Sequence, residues 1–397
     1  MKKAAISIIL VVILLTFSLS AHATEVAYVY PYDVSFESFW ASPASVYTSS
    51  GDAKGLCLME FSTGEVLFEE NSKARLPIAS VTKITTMLLT VEAIDGGKIK
   101  LDDEVTVSAH AASMGGSQIF LEENEKMSVH ELLKSVAVAS ANDATVALAE
   151  YICGSEETFI NEMNSRAAAL GCENTHYVNT NGLPEEGHYS CAYDVALLTR
   201  ELMRHPLIFD YTKIWMDTVR GGTFGLANTN RLIRFYKGAT GMKTGFTSEA
   251  GYCLSGTAER DGMALIAVVL GASTSEKRFK EAKSMLDYGF STKKLIKISP
   301  PELPDLKVSY GKSPFVALKC EEAEFLIDKG VSASPEFEIS IPEAVEAPIT
   351  EGASVGTLVI KIGDCSRSLP ILAASSVEKA DFLSVLKQII LKILNAF

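Results

Sequence analysis

The middle of the chain is dominated by apolar residues at helical spacing. The spacing after Lys83 predicts a largely buried helix with Ser80 near its start. A capping box at Ser128-Val129-His130-Glu131 opens a second helix, which stops at Ser140-Ala141-Asn142-Asp143. Further amphipathic helices are predicted directly after that break, over about Glu156–Leu170 and over Tyr193–Arg204. This part of the chain is therefore expected to be helical.

The stretches on either side of these helices alternate at period two, which is typical of strands. Leu56–Phe61 and Glu65–Glu69 form one predicted hairpin, and Tyr252–Ala258 and Met263–Leu270 form another. The other predicted elements are extended segments at Thr229–Phe235 and Lys243–Thr247 and a helix at Glu276–Phe290. The pattern predicts an α/β (α+β) fold, in which helices pack on an antiparallel sheet and a helical insertion separates its halves.

The chain after about residue 297 has a different pattern. A proline-rich break at 300–304 precedes short strand-like runs from Lys307 to about Leu372, which predict a small all-β domain. From Ser376 to Phe397 the apolar residues form one helical stripe with lysines off it. This favours an amphipathic helix at a membrane surface over a helix packed on the β domain. The predicted domains are 24–296, 297–374 and 375–397.

The first 23 residues are predicted to be a signal peptide. Lys2 and Lys3 precede an almost wholly apolar run from Ala4 to Leu19, and Ala21-His22-Ala23 offers small residues for cleavage. The alternative is a retained membrane anchor, because the apolar run is near the short limit for a span. In either case the rest of the chain is expected outside the cytoplasm.

Composition excludes several functions. The chain has 397 residues and a net charge of −13, so it lacks the basic excess that binding to nucleic acid requires. Its cysteines form no Cys-x-x-Cys and its histidines no His-Glu-x-x-His. No metal or other cofactor is therefore expected, and a zinc carboxypeptidase is disfavoured.

Ser80 and Lys83 are the candidate nucleophile and base. Residues three apart share one face of a helix, and a serine hydroxyl is a poor nucleophile until a neighbour takes its proton. Lysine can be that neighbour if burial or nearby positive charge lowers its pKa. The same spacing occurs at Ser291, Ser309, Ser376 and Ser384, where a surface serine beside a surface lysine is the simpler interpretation.

Two further motifs distinguish Ser80 from these other Ser-x-x-Lys pairs. Ser140-Ala141-Asn142 is the only Ser-x-Asn in the chain and lies between two predicted helices. Lys243-Thr244-Gly245 is the only Lys-Thr-Gly and lies in a predicted strand. Alone, the first could be a helix cap and the second an ordinary edge strand. Together, in this order, the three motifs are typical of penicillin-recognising serine enzymes.

The chain thus resembles the low-molecular-mass penicillin-binding proteins, the serine-type D-alanyl-D-alanine carboxypeptidases of peptidase family S11. The strings that carry the resemblance are 77–83, 140–144, 179–183, 188–194 and 241–247. The resemblance implies a β-lactamase/transpeptidase-like domain and removal of the terminal D-alanine from peptidoglycan pentapeptide stems. It also implies inhibition by β-lactams, and a location on the outer face of the cytoplasmic membrane, held there by the C-terminal helix.

The resemblance implies catalytic roles for three residues. Ser80 would attack the carbonyl between two terminal D-alanines and form an acyl-enzyme, after Lys83 takes its proton. Ser140 would bridge Lys83 and Lys243 and pass a proton to the leaving D-alanine.

The remaining motif residues would bind the substrate. Asn142 would bond to its peptide portion, and Lys243 and Thr244 of the Lys-Thr-Gly motif, which ends at Gly245, would hold its terminal carboxylate. Arg278 is a second candidate for that carboxylate; its alternative is an exposed helix arginine. The backbone N–H groups of Ser80 and Phe246 would form the oxyanion hole.

Two rival functions stay open at this point. A serine β-lactamase of class A needs a deacylating glutamate, and Glu157, four residues before Asn161, is the nearest match. Glu157 lies in a clean amphipathic helix, so a surface position is predicted for it. The other rival is a non-catalytic wall-binding or sensor protein that kept the fold, against which the intact motifs argue.

Overall fold

The computed structural model describes residues 26–30, 47–332 and 334–382, which fall into two compact units. The larger unit spans Ala41–Leu295 and Leu326–Lys329, and the other described residues form the smaller one. The helices are α1 (Lys83–Asp95), α2 (Ala109–Ala112), α3 (Val129–Ala139), α4 (Asn142–Cys153), α5 (Glu156–Ala169), α6 (Ala192–Met203), α7 (Phe209–Thr212), α8 (Leu232–Phe235) and α9 (Ser275–Thr292), with 3₁₀ turns at Ala79–Thr82 and Pro206–Ile208. The strands are β1 (Val26–Tyr30), β2 (Gly55–Glu60), β3 (Val66–Glu70), β4 (Glu104–Thr106), β5 (Lys126–Ser128), β6 (Met216–Val219), β7 (Phe224–Ala227), β8 (Ala239–Thr247), β9 (Gly251–Arg260), β10 (Met263–Ala272), β11 (Lys293–Ile298), β12 (Leu306–Ser309), β13 (Phe315–Val316), β14 (Leu318–Lys319), β15 (Ala323–Asp328), β16 (Glu336–Ile341), β17 (Ala344–Glu346), β18 (Ser354–Ile362) and β19 (Cys365–Ala373).

The larger unit is built on an antiparallel sheet with the strand order β3-β2-β10-β9-β8. Both predicted hairpins are confirmed, as β2–β3 and β9–β10. The first strand pair and the last three strands are separated in sequence by helices α1 to α8, so the predicted helical insertion is also confirmed. Strand β8, which carries Lys-Thr-Gly, lies at one edge of this sheet.

Helices cover both faces of this sheet. On β2, Cys57 and Met59 face the core that contains α1, whereas Leu56 and Leu58 face the core beneath α9. Strand β10 is buried along its whole length. A strand covered on both sides needs apolar residues at every position, which explains the nearly continuous apolar run from Met263.

The predicted extended segment Thr229–Phe235 is wrong at its C-terminal end, where the chain forms the short helix α8. The side chain of Asn230 accepts a hydrogen bond from the Leu232 N–H at 3.1 Å and so starts the helical turn. Leu232 is buried against Gly256 of β9, while Phe235 is exposed. One buried residue in a short run does not distinguish a strand from a single helical turn.

The smaller unit is all-β, as predicted. One sheet has the order β1-β16-β18-β19-β14 and another the order β13-β12-β17. The sequence predicts only an extended lead-in over 24–53, but within it β1 pairs antiparallel with β16. No helix in the described part of the chain is long and apolar enough to cross a bilayer. The predicted signal peptide lies outside the described residues, and so does the predicted C-terminal helix over 375–397 from residue 383 onward. Within the described start of that segment, Val377 and Lys379 form isolated β-bridges to Ile349 and Gly311.

Candidate active site

Ser80 lies in a tight turn immediately before α1. The preceding residue, Ala79, has a positive φ of 48°, which is uncommon for a residue other than glycine. Two glycines pack against this turn from other parts of the chain. A Cβ on Gly182 would lie 2.0 Å from the Ala79 carbonyl oxygen, and one on Gly245 would lie 2.7 Å from that of Ile78. The turn therefore requires glycine at both positions.

Lys83 is fully buried beside Ser80. Its Nζ lies 2.9 Å from the Ser80 Oγ, 2.6 Å from the Asn142 Oδ1 and 2.7 Å from the Asn181 carbonyl oxygen. Burial, and then the positive charge of Lys243, hold the pKa of the Lys83 amine well below its usual value. A lysine in this environment can accept a proton.

Ser140 and Asn142 lie at the junction of α3 and α4. Ser140 ends α3 in the left-handed conformation, with φ 63°, and Asn142 is the first residue of α4. Both are buried. The Asn142 side chain accepts a hydrogen bond from Lys83 and donates one to the Gly115 carbonyl oxygen at 2.6 Å. The break between two helices thus directs an amide into the site.

Lys243 and Thr244 are buried on the edge strand β8. The Lys243 ammonium donates to the Thr244 carbonyl oxygen at 3.0 Å. Burial, and then the nearby Arg278 charge, lower the pKa of Lys243 to about 7. The Thr244 hydroxyl bonds to the Thr229 hydroxyl at 2.6 Å. Close to neutral pH, this strand therefore carries an ammonium that readily loses its charge.

Arg278 is buried, not an exposed helix arginine. Its Nη1 donates to the carbonyl oxygens of Gly245 at 3.1 Å and Cys253 at 3.0 Å, which joins α9 to β8 and β9. Its Nε is buried without a hydrogen-bond partner. Burial lowers the pKa of Arg278 to about 10, so it stays charged at neutral pH. Gly245 thus lies between the Ser80 turn and this guanidinium.

The structure joins most of the predicted site residues through direct contacts. Ser80, Lys83 and Asn142 form one hydrogen-bonded group, and Arg278 reaches the Lys-Thr-Gly strand at Gly245. Phe246, the next residue, is 53% exposed and its ring packs 4.3 Å from that of Tyr252. Among the described residues, no hydrogen bond joins the Ser140 hydroxyl to Lys83 or Lys243, so the proposed bridge stays a prediction. Catalytic hydrogen bonds often tighten only once substrate is bound.

Sequence reasoning assigned no role to Asn181 or Thr229. Asn181 acts on Lys83 through its backbone carbonyl, and its side-chain oxygen accepts from the Leu183 N–H at 3.0 Å. The only signal for it is the Asn181-Gly182 turn within the motif segment 179–183. Thr229 belongs to the predicted extended segment Thr229–Phe235, but nothing in the sequence pattern indicates that its hydroxyl contacts Thr244.

Glu157 is exposed on α5, as predicted. A deacylating glutamate must face the acyl-enzyme, so this residue gives no support to a class A β-lactamase. A buried lysine that contacts a serine, with a lowered pKa and a second buried lysine on strand β8, is instead an arrangement typical of serine acyl-transfer enzymes.

Comparisons with known proteins agree with this class. Residues 42–274 match the model of the D-alanyl-D-alanine carboxypeptidase family, and residues 290–379 match the C-terminal domain of penicillin-binding protein 5. The D-alanyl-D-alanine carboxypeptidase DacF of Bacillus subtilis is 47% identical, over 85% of this chain and 89% of its own length. DacC of Escherichia coli, with the same activity in its name, is 35% identical over 86% of this chain and 88% of its own.

Solved structures are similar as well. Penicillin-binding protein 5 from Haemophilus influenzae has a TM-score of 0.73 and 30% identity, covering 84% of this chain and 100% of that one. Penicillin-binding protein D2 from Listeria monocytogenes, in its cefotaxime-bound form, has a TM-score of 0.56 and 34% identity, covering 60% of this chain and 97% of that one. The chain belongs to the D-alanyl-D-alanine carboxypeptidase family, and it is a serine-type D-alanyl-D-alanine carboxypeptidase.

Proposed function

We propose that Ser80 is the nucleophile of this carboxypeptidase and that Lys83 is its general base. The observation that carries this is the 2.9 Å contact between Lys83 Nζ and Ser80 Oγ in a buried site. A neutral amine has two hydrogens and one lone pair. The side-chain oxygen of Asn142 and the backbone carbonyl oxygen of Asn181 can accept hydrogen bonds from both hydrogens. The lone pair is then left for the hydrogen of the Ser80 hydroxyl.

The reaction proceeds through an acyl-enzyme. Ser80 Oγ bonds to the carbonyl carbon of the penultimate D-alanine while Lys83 takes its proton. The peptide bond to the terminal D-alanine then breaks, and the leaving amine receives a proton by way of Ser140. Water hydrolyses the ester, which frees the shortened peptide and restores the Ser80 hydroxyl. The net reaction is hydrolysis of one peptide bond, and none of these steps uses a cofactor.

Lys243 and Thr244 are the proposed partners of the substrate's terminal carboxylate, and Asn142 is the proposed partner of its peptide group. Arg278 adds a buried positive charge to this end of the site and holds the Gly245 carbonyl. The proposed oxyanion hole consists of the Ser80 and Phe246 N–H groups. Its support is the close packing of Gly245, the residue before Phe246, against the Ser80 N–H.

The substrate is the pentapeptide stem of peptidoglycan, and β-lactams should acylate Ser80 because they carry a reactive amide beside a carboxylate. The cefotaxime-bound structure of the similar penicillin-binding protein D2 supports the expected reaction with β-lactams. We expect slow release of the penicilloyl group, because Glu157, the nearest match to a class A deacylating base, is exposed. Rapid turnover of penicillin would instead indicate a β-lactamase.

The proposed place of action is the outer face of the cytoplasmic membrane. A signal peptide over 1–23, catalytic and β domains over 24–296 and 297–374, and a C-terminal segment over 375–397 that binds the membrane surface would account for it. Support comes from the apolar start and the amphipathic end of the sequence, and from a family that acts on the cell wall.

The test is release of D-alanine from a peptide that ends in two D-alanines. The purified protein should release one D-alanine per peptide, and Ser80→Ala should release none. A peptide that ends in two L-alanines serves as the control substrate. If the wild-type protein releases no D-alanine, or if Ser80→Ala retains full activity, the proposed mechanism is wrong.

A further inference from the structure

The hydroxyl groups of Thr229 and Thr244 lie 2.6 Å apart. Thr244 belongs to the Lys-Thr-Gly strand, whereas Thr229 comes from the segment between β7 and β8. The Thr229 backbone N–H also donates to the Val138 carbonyl oxygen at 3.3 Å, in the last turn of the helix before Ser140. Thr229 thus contacts both walls of the site, the strand and the helix junction.

Two buried asparagines fix the position of Thr229. Asn228 donates to the Ile214 carbonyl oxygen at 2.7 Å and accepts from the Asn230 N–H at 2.8 Å. Asn230 in turn donates to the Gly241 carbonyl oxygen of β8 at 2.8 Å. Thr229, between them, is the exposed member of the three. Its side chain is therefore held at the open side of the site by neighbours that cannot easily move.

The chemistry of the two hydroxyls makes them dependent on each other. A carboxylate can only accept hydrogen bonds, and a threonine hydroxyl has a single hydrogen. While Thr244 gives its hydrogen to Thr229, it has none for a substrate carboxylate. When the carboxylate binds, Thr244 must turn its hydrogen toward it. Thr229 can then donate its own hydrogen to the Thr244 oxygen, which would otherwise lose its partner.

We propose that Thr229 is a positioning residue for the substrate's terminal carboxylate, acting through the hydroxyl of Thr244. It accepts the Thr244 hydrogen in the free enzyme and donates to Thr244 in the complex. This rests on the proposed function, in which Thr244 binds that carboxylate. The role is confined to ligands that carry the carboxylate, so it differs from a general contribution to folding.

The test compares acylation by benzylpenicillin with acylation by its methyl ester, which lacks the carboxylate. Thr229→Val should lower the second-order acylation constant for benzylpenicillin about tenfold, the factor expected for weakening one hydrogen bond to a charged group. The constant for the methyl ester should stay within about twofold, because the loss concerns only the bond to the charged carboxylate. Thr229→Ser restores the hydroxyl and should return benzylpenicillin acylation to nearly the wild-type rate. Thr218→Val, the same change at an exposed threonine on β6, should alter neither constant.

A double-mutant cycle with Thr244→Val completes the test. If Thr229 acts through Thr244, Thr229→Val should have little further effect once the Thr244 hydroxyl is gone. Equal losses with acid and ester, no loss with either, or additive effects in the cycle would overturn the inference. These results differ from failure of the proposed function, in which benzylpenicillin would not acylate even the wild-type protein.

Discussion

The amine of Lys83 contacts the hydroxyl of Ser80 at 2.9 Å, and its other two hydrogen bonds go to the Asn142 side chain and the Asn181 backbone. Both of those partners are carbonyl oxygens, which can accept a hydrogen but cannot give one. Burial and the charge of Lys243 favour the neutral form of Lys83. The contact with Ser80 therefore has the geometry that nucleophile activation requires, and the lowered pKa of Lys83 favours the proton transfer.

Replacing Lys83 by arginine should abolish this activation. A guanidinium stays protonated and cannot take the Ser80 proton. We expect acylation by benzylpenicillin to slow by about 10²–10⁴-fold, the usual contribution of a general base. Stopped-flow quenching of protein fluorescence, or a gel time course with a fluorescent penicillin, would measure the rate.

Lys312 offers a matched control for that substitution. It also follows a serine by three residues, Ser309, but it lies exposed in the smaller unit and pairs with Glu378. Lys312→Arg should leave acylation unchanged. Equal rates for Lys83→Arg and the wild-type protein would remove Lys83 from the mechanism.

The pH dependence of kcat/KM should have a basic limb that comes from Lys243. Its pKa of about 7 in the free enzyme means that the ammonium is charged below that pH and neutral above it. Because binding of a carboxylate needs the charge, kcat/KM should fall as the pH rises through about 7. If Lys83 is the general base, it acts in its neutral form, and its protonation should produce the acidic limb of the profile.

Lys243→Arg distinguishes these two limbs. Arginine keeps its charge at all these pH values, so the decline above about pH 7 should disappear while the acidic limb remains. A pH–rate profile for D-alanine release would show the difference. If the basic limb is the same in both proteins, another group is responsible for it.

Gly245→Ala should reduce both stability and acylation. The added Cβ would lie 2.7 Å from the Ile78 carbonyl oxygen and 3.0 Å from the Ser80 nitrogen, and β8 would have to shift away from the nucleophile. Overpacking of this kind costs about 1–3 kcal/mol of the free energy of unfolding. Displacement of one oxyanion donor costs about 3 kcal/mol of transition-state stabilisation.

Thermal unfolding and acylation kinetics together test that substitution. Gly225 is the matched control, since its added Cβ meets no atom within 4 Å, and Gly225→Ala should change neither quantity. If the Gly245→Ala variant is acylated at the wild-type rate, the packing of β8 against the Ser80 turn has no catalytic importance.

Deleting residues 383–397 should release the mature protein from membranes and leave its carboxypeptidase activity intact. The cut is placed after Phe382 because Val377 is buried in the core of the smaller unit and pairs with Ile349, so an earlier cut would damage that unit. Membrane fractionation and D-alanine release measure the two effects. A truncated protein that still sediments with membranes would place the anchor elsewhere.

The sequence identified side chains that belong to motifs more easily than the contacts that orient them. Ser80, Lys83 and Asn142 were found because their motifs occur together with Lys-Thr-Gly in a fixed order, although the Ser-x-x-Lys spacing alone is common in the chain. Asn181 was missed because it acts through a backbone carbonyl, which every residue possesses. Arg278 could not be placed because the carbonyl groups that bury it, at Gly245 and Cys253, lie far from it in sequence.

The fold shows the same limit. Both hairpins and the long helices followed from periodicity, since each buries a repeating set of apolar side chains. Helix α8 did not, because a single turn buries only Leu232 and begins at a side-chain bond from Asn230. The pairing of β1 with β16 was also out of reach, since nothing local to Val26–Tyr30 specifies so distant a partner.

The most direct test of Ser80 as the nucleophile is mass spectrometry of the protein after incubation with benzylpenicillin. We expect a covalent adduct with the mass of one penicillin molecule, located by peptide mapping on Ser80 and absent from Ser80→Ala. An adduct on any other residue, or one that persists in Ser80→Ala, would contradict it.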